Sequence, residues 1–481
     1  MHAAVPTDDG TRYEMSHDMQ HMNGFADAAR LIGEHMSPRA QKMLNLERYV
    51  EGTQYVGRPN FFDRGVPLWH RAPCIVYPLA ANVIQSNTDL VLGDARWPRV
   101  TCRPGEDDRD FDESGLGLEE SAHLDKLILE SQRVSRFRPA MREAFSAAQG
   151  CGSAALMFGV RAGSLFIDST KARWCEPEFH EDGCVKRLVI EYPYFATERV
   201  NGSWRVVAKL YRREIDETKD VTFKSETMVQ GRYASPDWQV ETRVNHGFGF
   251  CPVVWYPFMQ GCSVVGNYDG HAIHETHLDE ITALDFALSM KHRAALYSGD
   301  PQWTEIGVEP GYVPTGPGEI VTVPATSKGG PITSDNRPIG EYRVPQPKQG
   351  RRKGPGEVWQ YESPDVKVQL HTLPGDALKA LENHCMDLRT KLAESMSAVF
   401  LDPESVRFAS ALSGKALEVI RQRQLDRCEQ YRDDATARLL LPSINMLLRV
   451  AYVARQRGNV NLPGLAKAMP ILAKSDHVEP A

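Results

Sequence analysis

Much of what this chain lacks bears on its class. No stretch approaches about eighteen consecutive apolar residues, so no membrane-spanning helix is expected. The start shows no basic segment leading into an apolar core, so no secretory route is expected. Its 9 cysteines follow no regular pairing pattern, which argues against a disulfide framework and for a reducing cytosol, with the thiols serving as small buried apolar groups. Positive charge is not in excess: 56 Lys and Arg against 63 Asp and Glu leave a net charge of −7. That balance argues against a protein that grips nucleic acid over a general basic surface.

Assembled catalytic motifs are missing as well. Ser413-Gly414-Lys415 ends like a phosphate-binding loop, but Ala409 stands where the motif needs its first glycine. The segment GCGSAAL has Ala155 in place of the closing glycine of a nucleophile elbow. His271, His274 and His277 recur with helical spacing, yet no Cys or carboxylate elsewhere is tied to them by spacing, so polar surface histidines are expected. Cys175, His180 and Cys184 lack a fourth ligand, and the acidic run from Glu106 to Glu113 reads as a solvated loop. The chain is therefore expected to be no enzyme and to hold no metal or cofactor.

What is present is length and helical pattern. At 481 residues and 42% hydrophobic the chain is long enough for two or three units with real cores. The polar, Met- and His-rich start, residues 1–37, reads as a flexible arm. Helices are expected from Pro38 to Glu51, within CIVYPLAANVIQSNTDLVLG up to Gly93, and twice between Leu116 and Phe158. From Ser164 to Pro257 the period shifts to runs such as VKRLVIEYPYF and SWRVVAKLYRRE, punctuated by Asp182-Gly183 and Asn201-Gly202. An antiparallel sheet region is the natural reading.

The long run from His271 onward is the most telling. Ile281, Leu284 and Leu288 mark one face of a first long helix; Leu378, Leu381, Cys385, Leu388 and Leu392 mark one face of a second. Each would span roughly 35 to 40 Å at the usual helical rise. Between them, Gly299 to Leu373 is dense in Gly and Pro, with strand candidates EIVTV and VWQYE, and reads as a small subdomain. A loop, FLDPESVRFASALSG, follows the second helix, and a third helix opens near Ser413 and runs towards Gly458 with a kink at Pro442.

This order resembles the portal proteins of tailed bacteriophages, the head-to-tail connector family. ETHLDEITALDFALSMKHRAALYSGDPQW is similar to the portal stem helix that enters the clip, and GEVWQYESPDVKVQLHTLPGDALKALENHCMDLRTKL to the return into the second stem helix. SALSGKALEVI, with Ser413, Gly414, Ala416 and Leu417, resembles the element that follows the tunnel loop and starts the long wing helix. NHGFGFCPVVWYPF resembles the approach to the stem. The likeness runs in order from about Leu44 to Arg457. It departs at the end, since little chain follows Gly458 and a C-terminal crown would be small.

The resemblance implies an α+β portal fold. Its parts would be a wing (38–265, helical then antiparallel β), a first stem helix (266–298), a clip (299–373), a second stem helix (374–397), a tunnel loop (398–412), a long kinked wing helix (413–445) and a short crown (446–481). It implies a dodecameric ring at one vertex of the capsid, located in the virion and assembled in the host cytoplasm. Double-stranded DNA would be packaged and ejected through its channel. Implied partners are further copies of the chain, major capsid and scaffolding proteins, the large terminase subunit and a head-to-tail adaptor, with no membrane and no cofactor.

Charge agrees with a wall along which DNA slides, because each phosphate neutralised by Lys or Arg adds a binding term that resists motion. Lys291 and Arg293 have two readings, as partners of the helix dipole or as a basic ring in the channel. Phe400, Arg407 and Phe408 of the tunnel loop are further channel candidates. Lys348, Arg351, Arg352 and Lys353 form a basic patch in the insert, for docking or DNA, beside the default of a solvated charge run. The stripe residues Ile281, Leu284, Leu288, Leu378, Leu381, Leu388 and Leu392 are expected to pack the stem. Two alternatives stand beside this reading: a ring-forming virion or adaptor protein that conducts no DNA, and a soluble nucleic-acid hydrolase with a helical insertion.

Overall fold

The computed structural model describes residues 36–63, 65–93, 97, 118–200, 203–227, 238–259, 268–299, 302–306, 320–323, 367–371, 375–396 and 414–458. In chain order the helices and strands are α1 (Pro38–Glu51), α2 (Leu79–Leu92), α3 (Leu118–Val134), α4 (Phe137–Cys151), β1 (Ser153–Arg161), β2 (Ser164–Lys171), β3 (Cys175–Phe179), β4 (Val185–Val200), β5 (Ser203–Ile215), β6 (Lys219–Phe223), β7 (Glu226–Thr227), β8 (Val240–Asn245) and β9 (Val253–Pro257). Then come α5 (Leu278–Gly299), β10 (Gln302–Ile306), β11 (Ile320–Val323), β12 (Lys367–His371), α6 (Gly375–Ser395), α7 (Gly414–Ala435) and α8 (Leu441–Gln456). The fold is mixed α+β. It divides into two compact units: residues 1–54, 78–276 and 396–481 form the first, and residues 55–77 and 277–395 the second.

Unit 1 is organised around β1. Its neighbours in a three-stranded antiparallel sheet are β2 and β9. Ala154, Leu156 and Phe158 point into a large core shared with α4, α7 and α8, while Ala155 and Met157 point into a second core with Leu188, Ile190 and Ile215. A strand buried on both faces carries an unbroken apolar run, which by period alone is indistinguishable from a buried helix. This is why the helical expectation up to Phe158 fails beyond Cys151. The chain turns at Gly152, whose φ is 98° and where a Cβ would sit 2.6 Å from the Gly270 carbonyl oxygen. Phe145 fills the core beneath, 5.9 Å edge-on from Phe258. Burying a side chain of that size stabilises by about 1.5–3 kcal/mol.

The longer strands form a second antiparallel sheet, ordered β3-β4-β5-β6-β8, with β7 beside β5. The β4–β5 pairing runs out to Val200 opposite Ser203, as the Asn201-Gly202 signal implied. A register shift between Thr222 and Phe223 interrupts the β6–β8 ladder, a feature that blunts an edge strand against unwanted pairing.

Local signals explain other boundaries. The Ser37 hydroxyl accepts from the Ala40 N–H at 3.2 Å, Pro38 occupies the first helical turn, and Gly52 closes α1 at φ 71°. The third long helix is not kinked by Pro442 in the expected way. A π-helical turn, Thr436–Leu440, joins α7 to α8 and precedes the proline, which sits in the first turn of α8. Wider i→i+5 bonding accommodates the carbonyl that an imine nitrogen cannot serve. The helix then runs past 445 to Gln456, with Leu447, Val450 and Ala451 in the large core. By length and composition the stretch Gln424–Gln456, with mean hydropathy 1.3, qualifies as a membrane span, against the sequence expectation; Cys428, Tyr431, Leu439 and Ile444 place its apolar side in the core of unit 1.

Candidate functional site

Unit 2 is built on α5. Acidic Asp279 and Glu280 occupy its first turn, where the helix dipole favours negative charge. The helix starts at Leu278, not 266, and ends at Gly299; β10 and β12 then pair antiparallel, with Gln302 opposite His371. Stepping back equally along both arms from that pair reaches Lys291 and Glu382, whose Nζ and Oε1 lie 2.8 Å apart. The strand register thus continues into the helices, and α5 and α6 form an antiparallel hairpin. At its tip β10 also pairs in parallel with β11, the strand expected from EIVTV. VWQYE lies outside the described residues, and β10 and β12 had no sequence signal strong enough to find them.

The expected stripe residues lie in the hairpin with graded burial. Ile281 and Leu284 are 1% exposed, Cys385 5% and Leu392 3%, while Leu288, Leu378, Leu381 and Leu388 are half-buried. Leu284, Ala287, Lys291 and Ala294 recur at three- and four-residue steps and, through Lys291, mark the side facing α6.

Two polar residues interrupt the apolar run of α5, and they prove to be structural anchors. Asp285 is fully buried, and its carboxylate accepts from the Tyr55 hydroxyl at 2.9 Å and from the Tyr77 N–H at 2.8 Å. One turn on, the Ser289 hydroxyl accepts from the Ile75 N–H at 3.0 Å. At the helical repeat these two point roughly 160° away from the side facing α6. They hold residues 55–77 against α5, so a segment assigned to the wing belongs with the hairpin. The segment braces itself: the buried Arg71 guanidinium donates to Val66 O at 2.6 Å and Phe61 O at 3.0 Å, and Ala72 N–H to Pro59 O at 2.7 Å. From α6, the Arg389 guanidinium lies 5.6 Å over the Tyr77 ring. Sequence reasoning missed this loop, although a lone Asp and Ser one turn apart in ITALDFALSM were a signal, since a buried carboxylate needs donors.

Compared with models of known families and with curated proteins, the chain matches none.

The remaining candidates are placed as follows. Lys291 and Arg293 lie more than a turn before the end of α5, beyond the reach of its dipole, so that reading fails. Lys291 is instead paired across the hairpin and holds the Glu382 carboxyl below its usual range through their hydrogen bond and charge attraction; Arg293 is half-buried and engaged. Phe400, Arg407, Phe408, Lys348, Arg351, Arg352 and Lys353 lie outside the described residues. The histidine triplet is not on one helical face: His274 is buried with Nε2 3.0 Å from Leu46 O, and His271 is exposed beside Glu275. Cys175 is buried, His180 bonds Glu217 at 2.7 Å and Cys184 is exposed; among the described residues no metal-binding cluster forms. On α7, Arg427 bonds the Tyr431 hydroxyl and Arg432 the Leu90 carbonyl, so these cations serve structure.

A cleft of about 210 Å³ in unit 1 includes Phe158, Arg213, Asp220, His246 and Arg457 in its lining. Its ionisable groups are committed. Arg213 makes a two-point pair with Asp220 at 2.9 and 2.7 Å, and Arg457 donates to the carbonyls of His246 and Gly247 at 2.8 Å. His246 accepts at Nδ1 from the Phe248 N–H, which fixes Nε2–H as donor to Asp216 O. Burial lowers its pKa from the ordinary 6.5. The unfolded chain therefore takes up this proton first: stability is full above about pH 6.5 and is lost as pH falls through the lower folded value. Urea titrations across that range should show the slope, and His246→Gln should flatten it.

Packing and charge contribute unequally to the hairpin. Leu284→Ala is expected to cost about 2–4 kcal/mol through its cavity. Lys291→Met should leave the urea midpoint unchanged, since an exposed pair contributes little.

Proposed function

We propose that this chain is a phage portal protein. Copies of it form a ring, expected to be dodecameric, at one vertex of the capsid, around a channel for packaging and ejecting double-stranded DNA. The observation that carries the reading is the hairpin. Helices of 22 and 21 residues run antiparallel and carry a sheet-bearing insert at the tip, a stem with its clip, followed by the long helix α7. The acidic net charge supports it too, because a channel wall must let phosphate slide. The clip docks terminase and head-to-tail adaptor, with the Lys348, Arg351, Arg352 and Lys353 patch as the contact; tunnel-loop residues Phe400, Arg407 and Phe408 meet the DNA.

Threading tests conduction. Assembled rings are loaded on a linear duplex, both ends are blocked with a bulky protein, and the mixture is washed at high salt. Rings retained on blocked DNA and lost from open-ended DNA support a channel. Equal loss from both overturns conduction and favours a structural ring; cleavage of the duplex favours the hydrolase.

A further inference from the structure

Unit 2 is layered: the loop of residues 55–77 lies on one side of α5 and α6 on the other. Each outer side exposes apolar surface. On the loop, Val56 is 72% exposed, Trp69 70% and Phe62 43%, on a backbone stiffened by the Arg71 bonds. A large indole held out by a rigid segment loses little freedom when covered, and Trp is among the residues that most often anchor interfaces. On α6 the side turned away from α5 is polar except for Met386, 55% exposed, an adaptable side chain that fits an irregular partner. Charge is complementary in part. The loop exposes Arg58 and His70 beside Asp63, and the outer side of α6 exposes Asp387 and Glu394 along with Lys379.

Two different patches on opposite sides of one body make a head-to-tail contact, the kind that closes into rings. We propose that the Trp69 face of one chain packs on the Met386 face of α6 in the next chain. The inference rests on the ring reading for closure, and names the residues that join neighbouring stems.

The test is cross-linking of the full chain carrying Trp69→Cys and Met386→Cys together. Both sites are exposed, so folding is checked by an unchanged melting temperature, and the parent chain under the same oxidant sets the background from exposed Cys74 and Cys184. A ladder of dimers, trimers and higher species in the double variant alone supports the contact. Cross-linked dimers from Trp69→Cys by itself, or no ladder above background, overturn it. A second variant, Trp69→Glu, should raise the concentration for half-assembly at least tenfold; an unchanged value counts against the proposal. Rings from the parent without a ladder overturn the contact and leave the ring standing. A ladder from a chain that never closes rings upholds the contact and overturns the ring.

Discussion

Asp285→Ala should destabilise unit 2 by about 3–5 kcal/mol, because it strands two buried donors at once. The Tyr55 hydroxyl and the Tyr77 amide both end on this carboxylate, and they are the two ends of the 55–77 loop. Hydrogen bonds to a charged group contribute about 1.5–3 kcal/mol each. The loop should therefore loosen as a piece. Urea unfolding gives the magnitude, and limited proteolysis should cut between residues 55 and 77 in the variant and not in the parent. Asp285→Asn keeps an acceptor and should retain about half of the stability. A loss below about 1 kcal/mol with an uncut loop would show that the anchor lies elsewhere.

Arg173→Met should be comparably severe in unit 1. The Arg173 guanidinium is 1% exposed, bonds Glu47 through Nη1 and stacks 4.7 Å over Trp174. Burial pushes the Glu47 carboxyl above its ordinary range, while Arg173 and Lys171 pull it back. Removing the stronger cation leaves a buried carboxylate with Lys171 at 3.5 Å, and breaking such a pair costs about 3–5 kcal/mol. The sign with pH is distinctive. With its folded pKa raised further, Glu47 binds its proton in the folded state first, so the penalty is full at neutral pH and shrinks as pH falls towards the ordinary value of 4.5. A loss that is flat with pH would assign the damage to packing alone.

Legibility in the sequence followed the number of faces an element buries. Helix α1, with its serine cap, proline and closing glycine, and the β4–β5 hairpin, with its turn dipeptide, each carry a local signal that needs no tertiary partner. β1 does not: both of its faces are buried, so its apolar run lacks the alternation of a surface strand. The stem stripes were legible for a similar reason, since α6 covers α5 along one line of Leu and Cys residues. The second contact of α5 was not, because Asp285 and Ser289 meet backbone and hydroxyl groups more than two hundred positions away, and turn-rich residues 55–77 show no period that points to a helix. The break ahead of Pro442 was legible as a position but not as a π turn, which depends on the core holding α7 and α8 in one line.

The central claim is a ring with an open centre, and imaging the purified full chain by negative-stain electron microscopy tests it most directly. The account predicts closed rings of uniform subunit number, viewed end-on with a central hole wide enough for duplex DNA. A monodisperse monomer across concentrations, or closed particles with no hole, would contradict it.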